Sequence, residues 1–207
     1  MSDPRILFHL EDVEKRYNGR VIVQVDDLRF RNHEVSLVQG ENGSGKSTLL
    51  KLVVGVIAPT KGRISRYASR AGLTCGYLAQ SGCVYDDLSV RENLLLFSRL
   101  FGFRSLPDEN VRSILTALAL IDHLEKKAGT LSGGFRKLSS LACLLIANPN
   151  ILVLDEPSSQ LDENKVEAVY GQLFARKGAL TIIVAEHTAR HEAFFDTRYV
   201  IRDGVLS

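Results

Sequence analysis

Two short segments carry residue types suited to chemistry on phosphates. Gly40-Glu41-Asn42-Gly43-Ser44-Gly45-Lys46-Ser47 fits the pattern G-x-x-x-x-G-K-[ST]. Glycines let the backbone curl so that successive N–H groups point inward at phosphate oxygens. The helix predicted to follow adds its positive N-terminal end. Lys46 supplies a mobile point charge for β- and γ-phosphates, and the Ser47 hydroxyl can ligate Mg²⁺. A random chain of this size should match the pattern roughly once in a hundred. Here the match also lies between a predicted strand and a predicted helix, as the mechanism demands. It points to a nucleoside triphosphate and leaves open which kind of machine uses it.

The second segment, Ile151-Leu152-Val153-Leu154-Asp155-Glu156, is an apolar strand that ends in two carboxylates. In a parallel sheet the C-terminal ends of the strands face the ligand crevice. Asp155 is therefore expected near the Mg²⁺ of a nucleotide held by Lys46 and Ser47, and Glu156 can accept a proton from an attacking water. Taken by itself the pair reads equally well as a solvated acidic turn; beside the phosphate loop the functional reading wins.

The elements that must position these groups follow from apolar periodicity. Ile6 to Leu10, Val21 to Val25, Val35 to Gln39, Ile64 to Arg66 and Leu73 to Ala79 read as strands. A helix is predicted through Leu49, Leu50, Leu52 and Val53, closed by Gly55 and Pro59. Val90 to Leu118 reads as two helices separated by Gly102 to Pro107, and a third starts after Ser132-Gly133-Gly134 and ends at Asn148-Pro149. The final third alternates: strand Ile151 to Leu154, helix Glu163 to Arg176, strand Leu180 to Ala185, strand Tyr199 to Arg202. Short, fully apolar strands alternating with helices argue for a parallel sheet covered on both faces. The helical stretch at about 88–134 reads as a lobe inserted into it.

Composition excludes several classes. The 207 residues hold 26 Lys+Arg against 24 Asp+Glu, a net charge of +2, with 45% hydrophobic residues. That balance argues against disorder, a disulfide scaffold or an electrostatic nucleic-acid footprint. Cys75, Cys83 and Cys143 are scattered, which favours a reducing compartment and buried thiols over metal ligation. The longest apolar run, Leu141 to Ala147, is far short of the ~20 residues a spanning helix needs. The N-terminal Met-Ser-Asp-Pro-Arg leads into a charged segment without an apolar signal region, so a cytoplasmic chain is expected.

The phosphate loop, the segment Leu131-Ser132-Gly133-Gly134-Phe135 and the strand ending Asp155-Glu156-Pro157 stand in the order and spacing of ABC-type ATPases, which the chain resembles from about Phe8 to Leu206. The LSGG segment upstream of the acidic strand makes this match far more specific than a phosphate loop. The resemblance implies an α/β fold: a P-loop NTPase core with a mostly parallel sheet covered by helices, an N-terminal antiparallel β subdomain and the inserted helical lobe. All of it belongs to a single nucleotide-binding domain over 1–207.

The resemblance also implies ATP and Mg²⁺ as cofactors and fills in roles. Tyr17, in Lys-Arg-Tyr-Asn-Gly, matches the aromatic that stacks on adenine. Gly40, Asn42, Gly43, Ser44, Gly45, Lys46, Ser47 and Thr48 match the phosphate contacts, with Ser47, Gln80 and Asp155 around the metal. Gln80 matches the glutamine that links the catalytic core to the helical lobe, Glu156 the general base, and His187 the histidine on the γ-phosphate. Without the resemblance Tyr17 reads as a half-buried strand-end tyrosine and His187 as a surface histidine. Ser132, Gly133 and Gly134 open a helix and match the segment that faces the γ-phosphate held by the opposite subunit; Ser158 to Asp162 matches the dimer-contact loop. Three residues depart from the family pattern: Phe135 for a usual glutamine, Gln160 for alanine, His33 for glycine. None removes a phosphate, metal or base ligand, so hydrolysis is expected to survive.

A chain of this kind is expected to be the ATPase subunit of a membrane transporter, peripheral on the inner face of the cell membrane. Its expected partners are an integral membrane permease and a second copy of itself or a related ATPase subunit, with no direct nucleic acid. Tyr85 to Leu94 is similar to the stretch found in subunits serving exporters. The alternative, a soluble ABC ATPase acting on ribosomes or DNA, calls for two nucleotide-binding domains or long coiled-coil insertions, neither of which this sequence has. A non-hydrolysing regulatory module conflicts with Lys46, Asp155, Glu156 and His187. Asn164-Lys165-Val166-Glu167 superficially matches a guanine-reading NKxD, but its fourth residue is Glu and it lies inside a predicted helix.

Overall fold

The computed structural model describes residues 5–67, 72–103, 108–188 and 191–206. They divide into two compact units. The first comprises Met1–Tyr77, Asn150–Glu156 and Lys177–Ser207; the second Leu78–Pro149 and Pro157–Arg176.

In the first unit, strands β1 (Ile6–Tyr17) and β2 (Arg20–Arg31) form an antiparallel hairpin closed by Asn18 and Gly19, both left-handed at φ 49 and 78. Asn-Gly is the pair that a two-residue hairpin turn favours. Both strands run well past the expected Ile6–Leu10 and Val21–Val25, because their outer halves alternate and carry polar residues on an exposed face. β4 (Lys61–Arg66) pairs antiparallel with β1 on its far side. β3 (Val35–Gln39), β6 (Ile151–Asp155), β7 (Thr181–Glu186) and β8 (Thr197–Arg202) form the parallel part in the order β8-β3-β7-β6, with β5 (Cys75–Leu78) beyond β6. A short β9 (Val205–Leu206) joins the two parts, turning from β8 through Asp203 and Gly204. Among the described residues the sheet is thus mixed and nine-stranded.

β6 and β7 are buried at every position, as strands covered on both faces must be. Helix α1 (Lys46–Val54) sends Leu49, Leu50, Leu52 and Val53 into that core, each at 0% exposure. Each such side chain contributes about 1.5–3 kcal/mol of burial. Gly55, at φ 84, ends the helix by donating its N–H to Lys51 O and Leu52 O. His33 occupies a turn at φ 59, a conformation that glycine takes at little cost, and its N–H donates to Thr181 Oγ1 at 2.8 Å. Of the three thiols only Cys143 is buried; Cys75 is exposed on the edge strand β5, against the expectation of buried thiols.

The second unit is helical: α2 (Val90–Leu100), α3 (Asp108–Ala117), α4 (Gly133–Ile146) and α5 (Glu163–Phe174). α2 opens on a capping box between Ser89 and Glu92. α4 is buried from Lys137 to Ile146 and forms the centre of the unit. The predicted break from Gly102 to Pro107 lies partly outside the described residues, which omit 104–107. By contact the unit starts at Leu78 and takes in α5, because α5 packs on α3. Among the described residues no helix is long and apolar enough to cross a membrane.

Candidate active site

The loop Gly40–Ser47 links β3 to α1, and its glycines are dictated by space and backbone. A Cβ on Gly40 would stand 2.4 Å from Ile201 O and 2.5 Å from Ser44 Oγ. Gly45 is left-handed at φ 107, and a Cβ there would lie 2.6 Å from Ile22 O. As the N-cap of α1, Gly45 offers no side-chain acceptor, so the first N–H groups of the helix face the loop without a cap. That is the composition of an anion cradle. Ile22 and Val23 press on Gly45 from β2, which anchors the hairpin bearing Tyr17 against the loop. Tyr17 itself is 48% exposed, with Lys15 Nζ 5.0 Å from its ring centre.

Lys46 begins α1 and is 4% exposed. Its Nζ donates to Gly40 O at 2.8 Å and Glu41 O at 2.9 Å, and stands 3.5 Å from Glu156 Oε1. Glu156 follows β6 in left-handed conformation, φ 51, with its N–H tied to Ala185 O at 2.9 Å. Asp155, one residue earlier, is 1% exposed. Burial raises its carboxyl above the usual carboxylate range; a hydrogen bond from Ser47 pulls the other way, and the Glu156 charge adds to the rise. Asp155 Oδ1 is buried with no hydrogen-bond partner among the described residues.

His187 follows β7 and is exposed, its Nδ1 3.0 Å from Thr188 Oγ1. Its carbonyl accepts from Gln39 Nε2 at 3.3 Å. A cavity of about 590 Å³ opens here, lined by Gln39 to Ser44, His187 and Thr188, and by residues of β8 and its turn. Thus the first unit brings together Lys46 with Glu156 and Ser47 with Asp155, and sets Gly40, Gly43 and His187 around the cavity. Thr48 continues α1 one residue past Ser47.

Gln80, Ser132, Gly133 and Gly134 belong to the second unit. Gln80 is exposed just after β5. Ser132 caps α4, its Oγ accepting from Phe135 N at 3.4 Å. The two glycines stand close to the 158–162 loop: a Cβ on Gly133 would lie 3.0 Å from Gln160 Oε1, the end of a flexible side chain, and one on Gly134 3.3 Å from Leu161 Cδ2.

Sequence reasoning missed Gln39 and Tyr77. Gln39 ends buried β3 with its Oε1 unpartnered among the described residues; the signal was a polar residue closing an apolar strand, as Asp155 closes β6. Tyr77 lies beside Asp155: burial first, then that charge, push its phenol up. Its place depends on a register that the sequence does not print.

A strand–glycine loop–helix cradle, a buried lysine within it and a carboxylate pair at the end of a parallel strand define a P-loop nucleotide-binding protein. The ABC transporter family model matches residues 23–159. The Nod factor export ATP-binding protein I of Burkholderia orbicola is 32% identical over 206 residues, 93% of this chain and 67% of that protein. The doxorubicin resistance ATP-binding protein DrrA of Mycobacterium tuberculosis is 30% identical, over 94% of this chain and 62% of that protein. The chain thus spans about two thirds of these relatives. A bacterial ABC transporter cassette solved as a dimer shares the fold, with a TM-score of 0.84 at 22% identity, covering 97% of this chain and 96% of that one. This chain belongs to the ABC transporter family. It is one of the family's ATP-binding subunits, the ATPases that energise membrane transporters.

Proposed function

We propose that the chain binds ATP with Mg²⁺, hydrolyses it with Glu156 as general base, and does so as one of a pair seated on an integral membrane permease at the inner face of the membrane. The pairing is with a second copy or a related ATPase subunit. The names of the relatives, one of Nod factor export and one of doxorubicin resistance, support export as the direction.

The observation that carries the reading is the convergence of Lys46, Ser47, Asp155 and Glu156. The unpartnered, buried Asp155 Oδ1 beside the Ser47 hydroxyl fits a hard divalent cation, since Mg²⁺ takes oxygen ligands, one or two of them from protein, and phosphates. Bound there, Mg²⁺ would neutralise charge developing on the β- and γ-phosphate oxygens. Lys46 would exchange the Gly40 and Glu41 carbonyls for phosphate oxygens, stronger acceptors because they are charged. Glu156 takes the proton of the attacking water, and His187 donates to the γ-phosphate from the rim of the cavity. Tyr17 stacks on the purine. Ser132, Gly133 and Gly134 present the N-terminus of α4 to the γ-phosphate held by the partner copy.

Phosphate release by the full chain, parent against Glu156→Gln, tests this. The expected result is Mg²⁺-dependent hydrolysis in the parent and a loss of about 10²-fold or more in the variant. The variant should still bind ATP and run as a dimer with it. Parental turnover in Glu156→Gln sinks the base assignment.

A further inference from the structure

Lys165, in the first turn of α5, touches three things at once. Its Nζ is ion-paired with Asp162, the residue that caps α5 and accepts from Lys165 N at 3.0 Å. The same ammonium stands 5.0 Å from the ring centre of Phe135. Its stem passes Gly134, where a Cβ would lie 4.0 Å from Lys165 Cδ. From another element His123 places its ring 4.2 Å from that of Phe135, tilted by 48°. The buried Lys137 adds a second tie, its Nζ donating to Ser159 Oγ.

We infer that Lys165 is a positioning residue for the Ser132–Gly134 turn, spanning from the cap of α5 to the face of Phe135 and so holding the turn and the 158–162 loop in one arrangement. This rests on the reading above, in which that turn receives the phosphate of a partner copy's nucleotide. Phe135 supplies no phosphate ligand; what an aromatic ring offers here is a π-face for a cation. The ion pair with Asp162 holds the ammonium in place, and its hydrogen bond is the largest cause keeping the Asp162 carboxyl below the usual range. A turn fixed before the partner arrives spares the ordering cost at closure. If the turn is released, only a fraction of molecules is competent at any moment, and apparent affinity falls by that fraction.

The test is steady-state hydrolysis by the full chain, comparing K165M, K165R and F135L. In K165M the ATP concentration for half-maximal rate should rise about 3- to 10-fold, with kcat within about 2-fold of the parent. K165R should restore the parental value, since guanidinium keeps both the ring contact and the ion pair. F135L should match K165M, and the double variant K165M/F135L should add nothing further. Binding of a fluorescent ATP analogue to the chain's own loop should not change. Parental kinetics in K165M, or K165R as impaired as K165M, overturn the inference while leaving the ATPase reading intact. Absence of hydrolysis in the parent sinks that reading and this inference with it.

Discussion

Glu156 leaves β6 in a left-handed backbone, and its Oε1 stands 3.5 Å from the ammonium of Lys46, a side chain 3% exposed. The lysine is thus held by a carboxylate on one side and by two carbonyls of its own loop on the other. A cation placed so is a preformed counter-charge for phosphate.

Lys46→Met should therefore lower ATP affinity by about 10- to 100-fold, the equivalent of one or two charge-assisted hydrogen bonds. Titration with a fluorescent ATP analogue measures it. Unchanged affinity would remove Lys46 from the site.

Asp155 makes a pH-dependent prediction. Burial raises its carboxyl, so the folded chain holds that proton more tightly than the unfolded chain. Ionised Asp155 thus costs stability: the cost is absent below the unfolded pKa and grows as pH rises through the folded one. Asp155→Asn should melt higher than the parent at about pH 7.5, by about 2–4 °C per kcal/mol relieved, and the gap should close near about pH 4. Mg²⁺-dependent hydrolysis should be lost at every pH. Melting curves across that range decide it, and a gap that widens toward acid contradicts the argument.

Two glycines should respond differently to alanine. At Gly40 the new methyl meets backbone, Ile201 O at 2.4 Å, so Gly40→Ala should cost about 1–3 kcal/mol of stability. At Gly133 it meets the end of the flexible Gln160 side chain at 3.0 Å. Gly133→Ala should stay within about 0.5 kcal/mol of the parent in urea unfolding, yet lose hydrolysis.

Asn93 is fully buried and satisfies the 85–89 turn: its Oδ1 accepts from Tyr85 N at 2.8 Å, and its Nδ2 donates to Tyr85 O, Leu88 O and Ser89 O. Asn93→Ala leaves Tyr85 N unpaired, while the three carbonyls keep backbone donors at Leu88, Ala128 and residue 93, and should cost about 1–3 kcal/mol. Hydrogen exchange at 85–89 should quicken before the rest of the second unit responds.

Much of this was legible in the sequence because its cause is local. The phosphate loop needs glycines and a lysine at fixed spacing, and β6 and β7 announce themselves by unbroken apolarity. The lengths of β1 and β2 were not read, since beyond Leu10 and Val25 their polar faces hide the alternation; Asn18-Gly19 was the signal that could have closed that hairpin, as Asp203-Gly204 was for β8 and β9. The contact between Phe135 and Lys165 joins residues distant in the chain, and no spacing rule reports it. For the same reason His33 was readable as a glycine-like turn position, whereas its bond to Thr181 was not.

The backbone at Glu156 has a further consequence. A left-handed conformation costs a non-glycine residue about 1 kcal/mol or more and persists only where its surroundings impose it. Here the imposing contact is the N–H of Glu156 on Ala185 O, the last rung between β6 and β7. Fraying of that rung would let the residue relax and turn its carboxylate away while the sheet behind stays closed. Inactivation should thus run ahead of unfolding: in rising denaturant, turnover would disappear at a lower concentration than the loss of secondary structure, with catalysis serving as the molecule's own strain gauge.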